Sequence, residues 1–245
     1  MKFSILIPYY NERETILQYD HMLFPIVDDI MKEYKFDYEY IFFDDGSTDG
    51  GNFEILNYMN RDEKIKGYRH FINLGLGISI RNGILYCNGD YIIIMDADLS
   101  YRPTDIRKMI DYLLIFPNID CISSSPYSDS HFIKSSSPYL RHLGSVWFNK
   151  IYSLSIGHNI TCATAMFRLY KTSVIKDMKF ESIGFDINAE ILSEFILSGK
   201  KVKELSMSLY GRDYGLSKMN TWYEFRRGIE MIVKICVKRI FRWRK

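Results

Sequence analysis

Tyr91-Ile92-Ile93-Ile94-Met95-Asp96-Ala97-Asp98-Leu99 is the stretch on which the reading of this chain turns. Tyr91 to Met95 is an apolar strand, and two carboxylates follow it one residue apart. Side chains i and i+2 of an extended chain point the same way, so Asp96 and Asp98 can converge on one hard divalent ion beside a bound phosphate. An ion held in that manner calls for a pyrophosphate. The alternative is a solvated strand-to-helix turn, with Asp98 or Ser100 capping the helix that begins near Pro103.

Outward from that stretch, strand, loop and helix alternate. Lys2 to Ile7 is β-rich and runs into Pro8-Tyr9-Tyr10-Asn11-Glu12, and Thr15 to Tyr34 has helical spacing. Tyr38 to Phe43 is a strand ending in Asp44-Asp45-Gly46-Ser47-Thr48-Asp49-Gly50, with a helix from about Phe53 to Met59. Ile65 to Phe71, Gly77 to Cys87, Asp90 to Met95 and Pro103 to Phe116 continue the series as strand, helix, strand, helix. Such alternation predicts a parallel sheet with helices on both faces, and ligands of such sheets lie beyond the carboxyl ends of the strands. Three loops, after Ile7, Phe43 and Met95, then face one crevice. The Ser/Pro-rich segment Ser123 to Pro138 reads as a long loop of the kind that serves as a lid. Beyond it, Tyr139 to Ile156 is helical, Thr161 to Tyr170 strand-like, Asp186 to Ser198 helical and Lys201 to Leu209 a last strand. No repeat or long linker divides the 245 residues, which suit one large domain.

Cys87, Cys121, Cys162 and Cys236 have no paired spacing, so neither a zinc site nor a disulfide framework is expected and a reducing compartment fits. Met1 to Pro8 lacks the basic leader and cleavage site of a secretory signal, and no stretch has the apolar length to cross a bilayer. The expected protein is soluble or peripheral. Net charge is +2 but uneven: Trp222 to Lys245 carries +6 and the remainder −4. In that tail Phe225, Ile229, Ile232, Val233, Cys236 and Ile240 fall at helical spacing among Arg226, Arg227, Lys234, Lys238 and Arg239. This basic amphipathic helix, residues 221–245, is suited to an anionic membrane surface, or to packing on the enzyme or a second subunit. Nucleic acid is not expected as a partner, because no recognised binding module accompanies the charge.

The motifs Ile7 to Glu12, Asp44 to Gly50, Asn73-Leu74-Gly75-Leu76-Gly77, Gly89-Asp90 and Met95 to Leu99, in that order, resemble the family 2 glycosyltransferases of the GT-A fold. Arg141 and Ser145, Thr164 to Tyr170, Gly184-Phe185-Asp186 through Glu190, and Arg212 to Lys218 are similar to the dolichol-phosphate mannosyltransferase group. The resemblance spans about residues 1–220 and implies a Rossmann-like, mostly parallel sheet flanked by helices. It implies inverting transfer of a hexose from a GDP- or UDP-sugar, typically to a polyprenyl phosphate, on the cytoplasmic face of a membrane. Carried over by position, Pro8, Tyr9, Glu12 and one or both of Asp44 and Asp45 contact the nucleotide. Asn73, Gly75, Gly77 and Asp90 lie near the donor, and Asp96 and Asp98 hold Mg²⁺ or Mn²⁺ against the diphosphate. Ile80 stands where a dinucleotide fingerprint needs its third glycine, which argues against NAD. Ser100 stands where relatives often have Gln.

On the acceptor side the resemblance gives Arg141 and Ser145, four apart on one helix face, to a phosphate, and Arg212, Ser217 and Lys218 to a loop closing over the site. Ser123-Ser124-Ser125 occupies the place of a further Arg found in many relatives. A phosphate monoester, with its second pKa of about 6, attacks unaided at neutral pH. A sugar hydroxyl needs a base, for which Asp186 and Glu190, four apart after Gly184, are the candidates. Transfer to lipid phosphate, transfer to a glycan hydroxyl, and a non-catalytic sugar-nucleotide-binding scaffold at a membrane all stay open at this point.

Overall fold

The computed structural model describes residues 1–127, 139–211 and 221–242, with the side chains of 139–143, 221–226 and 241–242 outside the description. Seven strands form one sheet in the order β3-β2-β1-β4-β6-β5-β7. They are β1 (Lys2–Tyr9), β2 (Asp37–Asp44), β3 (Ile65–Arg69), β4 (Tyr91–Ile94), β5 (Cys121–Ser125), β6 (Arg168–Lys171) and β7 (Val202–Ser206). The helices are α1 (Arg13–Ile16), α2 (Tyr19–Met22), α3 (Phe24–Tyr34), α4 (Gly51–Met59), α5 (Leu76–Tyr86), α6 (Ile106–Ile115), α7 (Tyr139–Ile156), α8 (Thr172–Lys176), α9 (Ile187–Leu197) and α10 (Thr221–Arg242).

Strand β1 pairs in parallel with β2 on one side and with β4 on the other, so the chain reverses its direction of winding between β1 and β4. Such a reversal opens a crevice at the carboxyl ends of the two strands. The loops after Tyr9 and Ile94 leave from that edge. All neighbours are parallel except β6, which runs antiparallel between β4 and β5.

Alternation along the strands divides the core between the two sheet faces. Phe3, Ile5 and Ile7 of β1 join Tyr40 and Phe42 of β2 under α3 and α6. Leu6, Ile41, Ile92 and Ile94 face the opposite side with α5, α7 and α9.

Four expectations change. The helix foreseen over Thr15 to Tyr34 is three helices, and Pro25, which lacks an amide hydrogen, stands in the first turn of the last of them. The loop foreseen from Ser123 begins as strand: Ser123 to Ser125 are buried in β5, paired with β7. The rest of that loop, 128–138, lies outside the described residues. Of the strand foreseen over Thr161 to Tyr170 only Arg168 onward is β, and residues 161–167 are tied by side chains instead. The tail helix has two apolar faces, not one. Gly228, Met231 and Ile235 turn inward onto α7 and α9, whereas Ile229, Val233, Val237 and Ile240 are exposed on the opposite side.

At the edge away from the crevice, Glu39 is 2 % exposed and accepts bonds from the Ser4 hydroxyl, the Asn88 amide and Lys66. Burial alone raises its pKa, and these donors outweigh burial, leaving it lowered to about 2. A lowered carboxylate pKa adds stability above the unfolded value near 4.5, and that stability disappears as pH falls toward 2. Glu39→Gln is expected to cost about 2 kcal/mol at pH 7 and to flatten acid unfolding between pH 5 and 2, measured by circular dichroism.

Candidate active site at the carboxyl edge

Ala97 and Leu99 belong to the core, so the side chains between and before them, Asp98 and Asp96, turn to the half-buried crevice side. Two local bonds hold this turn. The Leu99 amide reaches the Asp96 carbonyl at 3.2 Å, and the Ser100 amide donates to Asp98 Oδ1 at 2.9 Å. Leu99 adopts φ 54°, a left-handed conformation that costs a non-glycine residue on the order of 1 kcal/mol and is kept where packing imposes it. Tyr19 donates its hydroxyl to the Ala97 carbonyl at 2.8 Å from beneath. Burial raises the Tyr19 pKa well above the phenol range, and the charges of Glu12 and Asp98 add to it.

The other loops are fastened to this turn and to each other. Asn11, at φ 54°, receives the Thr48 amide on its side chain at 2.7 Å and gives its own amide to Ser47 Oγ at 2.9 Å, joining the loop after β1 to the loop after β2. Asp44 is buried, with Oδ1 on the Ser47 amide at 2.7 Å and Oδ2 3.1 Å from Arg69 Nε. Asp45 holds the glycine loop: Oδ1 takes the Leu74 amide and His70 Nδ1, and Oδ2 takes the Gly75 amide at 2.9 Å. Gly75, at φ 100°, and Gly77 lie directly against the backbone at Ser182 and Ile183. The Gly77 amide donates to the Ile183 carbonyl at 2.8 Å. Glu190 then grips the far side of that segment, accepting the amides of Glu181 and Ser182, the latter at 2.8 Å. Asp186 places Oδ1 on the Gly184 amide and Oδ2 2.9 Å from Arg227 Nη2 of α10.

The sequence candidates therefore separate. Glu12 and Asp98 both act electrostatically on Tyr19, and Asp96 acts on Tyr101. Asp44, Asp45, Gly75 and Gly77 form the adjoining wall, with Asn73 exposed at its rim. Pro8 and Tyr9 are buried strand residues, and Tyr10 and Asn11, which follow, are half-buried. Asp90 lies at the opposite end of β4, accepting the Lys2 amide at 2.8 Å, so it opens the strand and is not near the donor loops. Ser145 of α7 hydrogen-bonds Tyr127 beyond β5. Arg141 lies on α7 with its side chain outside the description, and Arg212, Ser217 and Lys218 lie outside the described residues. The chain enters that last segment from the aspartate turn, through the Tyr210 amide on the Ser100 carbonyl at 2.9 Å.

Two supports carried no usable signal in the sequence. Glu204 of β7 accepts the amides of Thr161 and Cys162, and the Thr161 hydroxyl. Arg168, fully buried, bonds Ser123 Oγ and the carbonyls of Ala163 and Asn188. These bonds to carbonyls and a hydroxyl join β5, the 161–167 segment and α9. Burial pushes the thiol of Cys162 up to about 11 and those of Cys87 and Cys121 to about 12, so none of the three is a nucleophile at neutral pH.

The donor set suits a hard cation carried with its substrate. Among the described residues no cluster of three or more His, Cys, Asp or Glu could cage a metal, and two carboxylates on one turn match an ion whose remaining ligands are phosphate oxygens and water.

A family model for glycosyl transferase family 2 matches residues 4–179. The chain belongs to that family. A dolichol-phosphate mannosyltransferase of Pyrococcus furiosus is 29 % identical over 241 residues, 96 % of this chain, which spans 64 % of that relative's length. An uncharacterised protein of Methanocaldococcus jannaschii is 25 % identical over 205 residues, 79 % of this chain and 80 % of the other. In fold the chain is similar to the glucosyl-3-phosphoglycerate synthase of Mycobacterium tuberculosis crystallised with Mn²⁺, UDP and glucosyl-3-phosphoglycerate. That structure has TM-score 0.68 and 15 % identity, with 96 % of this chain and 80 % of that one covered. The architecture is the GT-A fold, with a mostly parallel sheet between helices.

A Cβ on Gly77 would stand 2.2 Å from the Ser182 carbonyl oxygen. Gly77→Ala is expected to cost about 1–3 kcal/mol and to separate the glycine loop from the 181–184 segment, read as a lower Tm and faster hydrogen exchange at Leu76 to Ser79.

Proposed function

We propose that the protein transfers a hexose, with inversion, from GDP- or UDP-hexose to a polyprenyl phosphate at a membrane surface. The observation that carries this reading is the engagement of both candidate bases. Glu190 is spent on the Glu181 and Ser182 amides, and Asp186 on Arg227 and the Gly184 amide. A hydroxyl acceptor needs a carboxylate to take its proton, whereas a phosphate monoester arrives ionised. The similarity to a dolichol-phosphate mannosyltransferase supports the same acceptor.

In this reading Glu12, Asp44 and the Asn73 to Gly77 loop border the nucleotide. Asp96 and Asp98 hold Mg²⁺ or Mn²⁺, which supplies positive charge opposite the diphosphate as the glycosidic bond breaks. Arg141 and Ser145 receive the acceptor phosphate, whose oxygen attacks the anomeric carbon as the nucleoside diphosphate leaves from the opposite face. Arg212, Ser217 and Lys218, outside the described residues, contact the donor diphosphate and the acceptor. The expected assay result is a lipid-linked sugar from labelled nucleotide sugar, polyprenyl phosphate and Mn²⁺, with turnover reduced about a thousandfold in Asp98→Ala. Product with a glycan hydroxyl alone, abolished in Asp186→Asn, would establish the hydroxyl acceptor instead. Binding of nucleotide sugar with transfer to neither acceptor would leave the non-catalytic scaffold.

The membrane part of the proposal draws on an apolar surface. Trp147 and Leu154 of α7 are 62 % and 71 % exposed, with Ile151 between them, and Ile229, Val233, Val237 and Ile240 of α10 are exposed as well. Large apolar surface of this kind marks an interaction face. No helix among the described residues is long and apolar enough to cross a membrane, so contact is with the surface. Symmetric pairing of two copies would oppose two tails that each carry +6, whereas anionic headgroups complement them. Peripheral attachment at a cytoplasmic face also suits cysteines that all stand free. Co-sedimentation with vesicles containing phosphatidylglycerol is expected, falling at least fivefold in Val233→Asp/Leu154→Asp. Retention by the double variant would reject this face.

A further inference from the structure

Of the tail cations, Lys238 and Arg239 are engaged away from the crevice, Lys238 with Glu194 well along α9 and Arg239 with the Leu154 and Ser155 carbonyls of α7. Lys234 approaches Glu181 of the 181–184 segment at 3.8 Å, with both side chains in solvent. Arg227 differs. Its guanidinium lies at the first turn of α9, with side chains 16 % exposed for Arg227 and 9 % for Asp186. The next residue, Gly228, abuts Phe148, where a Cβ would come within 2.8 Å of the ring. Since Arg239 meets Leu154 and Ser155, α10 runs parallel to α7, and Ser145 is one turn before Phe148. Arg227 thus stands where α7, α9 and α10 meet, beside the 181–184 segment that packs on the glycine loop.

We propose that Arg227 is an acceptor-binding residue for a phosphate monoester, and that Asp186 is its counter-ion until that phosphate arrives. The inference rests on the phosphate acceptor proposed above and adds a residue of the C-terminal helix to its site. A partly buried guanidinium without an opposite charge is costly, and Asp186 removes that cost in the unliganded enzyme. A phosphate dianion offers twice the charge of a carboxylate and more acceptor positions to the planar fork, so it competes for the same N–H groups. Acceptor binding then exchanges one anion for another with no buried charge left unmatched, and Asp186 takes no proton from the acceptor.

The test is steady-state kinetics and equilibrium binding with a short-chain polyprenyl phosphate, using full-length wild type, Arg227→Gln, Arg227→Lys and Asp186→Asn. Arg227→Gln is expected to raise the acceptor KM and Kd about tenfold with donor KM held within twofold, and Arg227→Lys to recover part of the loss. Asp186→Asn, which removes the competing anion, is expected to lower acceptor KM and Kd. Inorganic phosphate should inhibit wild type more than Arg227→Gln if the phosphate alone is recognised, and equally if the lipid chain is required. Either result is compatible with the proposal only when Kd for the prenyl phosphate rises in Arg227→Gln. An unchanged acceptor Kd in that variant overturns it. So does a joint rise of donor and acceptor KM with a lower Tm in both Arg227 variants, the signature of a merely structural pair. A thousandfold loss of kcat in Asp186→Asn assigns Asp186 as a base and also overturns it. If wild type binds the prenyl phosphate through Arg227 but makes no product, the transferase reading fails while this inference stands; absence of binding to wild type rejects both.

Discussion

The site depends on a conflict between burial and charge over four residues. Strand β4 delivers the chain to the crevice edge, and the core claims Ala97 and Leu99. An ionised carboxylate cannot accompany them into that core without several kcal/mol of desolvation, so Asp96 and Asp98 emerge on the other side. The left-handed Leu99 is what this arrangement requires of the backbone. That turn is tied to the rest of the molecule by Tyr19 from below and by Tyr210 through Ser100.

Around this fixed point the carboxylates divide their labour. Asp45, Glu190 and Glu204 each accept two or more backbone amides from a separate loop, and each such loop borders the crevice. Carboxylate oxygens occupied by amides in this way are committed to holding a loop. The phosphate acceptor is proposed on that ground, because it brings its own negative charge.

The alternation of elements, the crevice at the strand ends and the position of Asp96 and Asp98 on the turn after β4 were legible because they follow from period, spacing and turn chemistry within short windows. The boundaries of α7 were legible for the same reason. What was not legible needed knowledge of partners. Glu39, Glu190 and Glu204 look alike in a sequence, yet one fastens the far edge of the sheet and the others fasten the crevice. Asp90 shares a motif with donor-side residues but sits at the wrong end of its strand, which only the direction of β4 reveals. In the tail, the exposed apolar stripe was visible and the inward face was not. Gly228 and Met231 have nothing distinctive until Phe148 and α9 are placed against them.

Because α10 and α7 run the same way, Arg239 reaches the carbonyl end of α7, where four backbone oxygens lack intrahelical partners. Its positive charge there opposes the negative pole of the α7 macrodipole, worth about 0.3–1 kcal/mol. A helix that begins at Tyr139 is therefore capped by a residue 85 positions beyond Leu154. The tail thus acts as a terminating piece for α7, and fraying of the one propagates as fraying of the other.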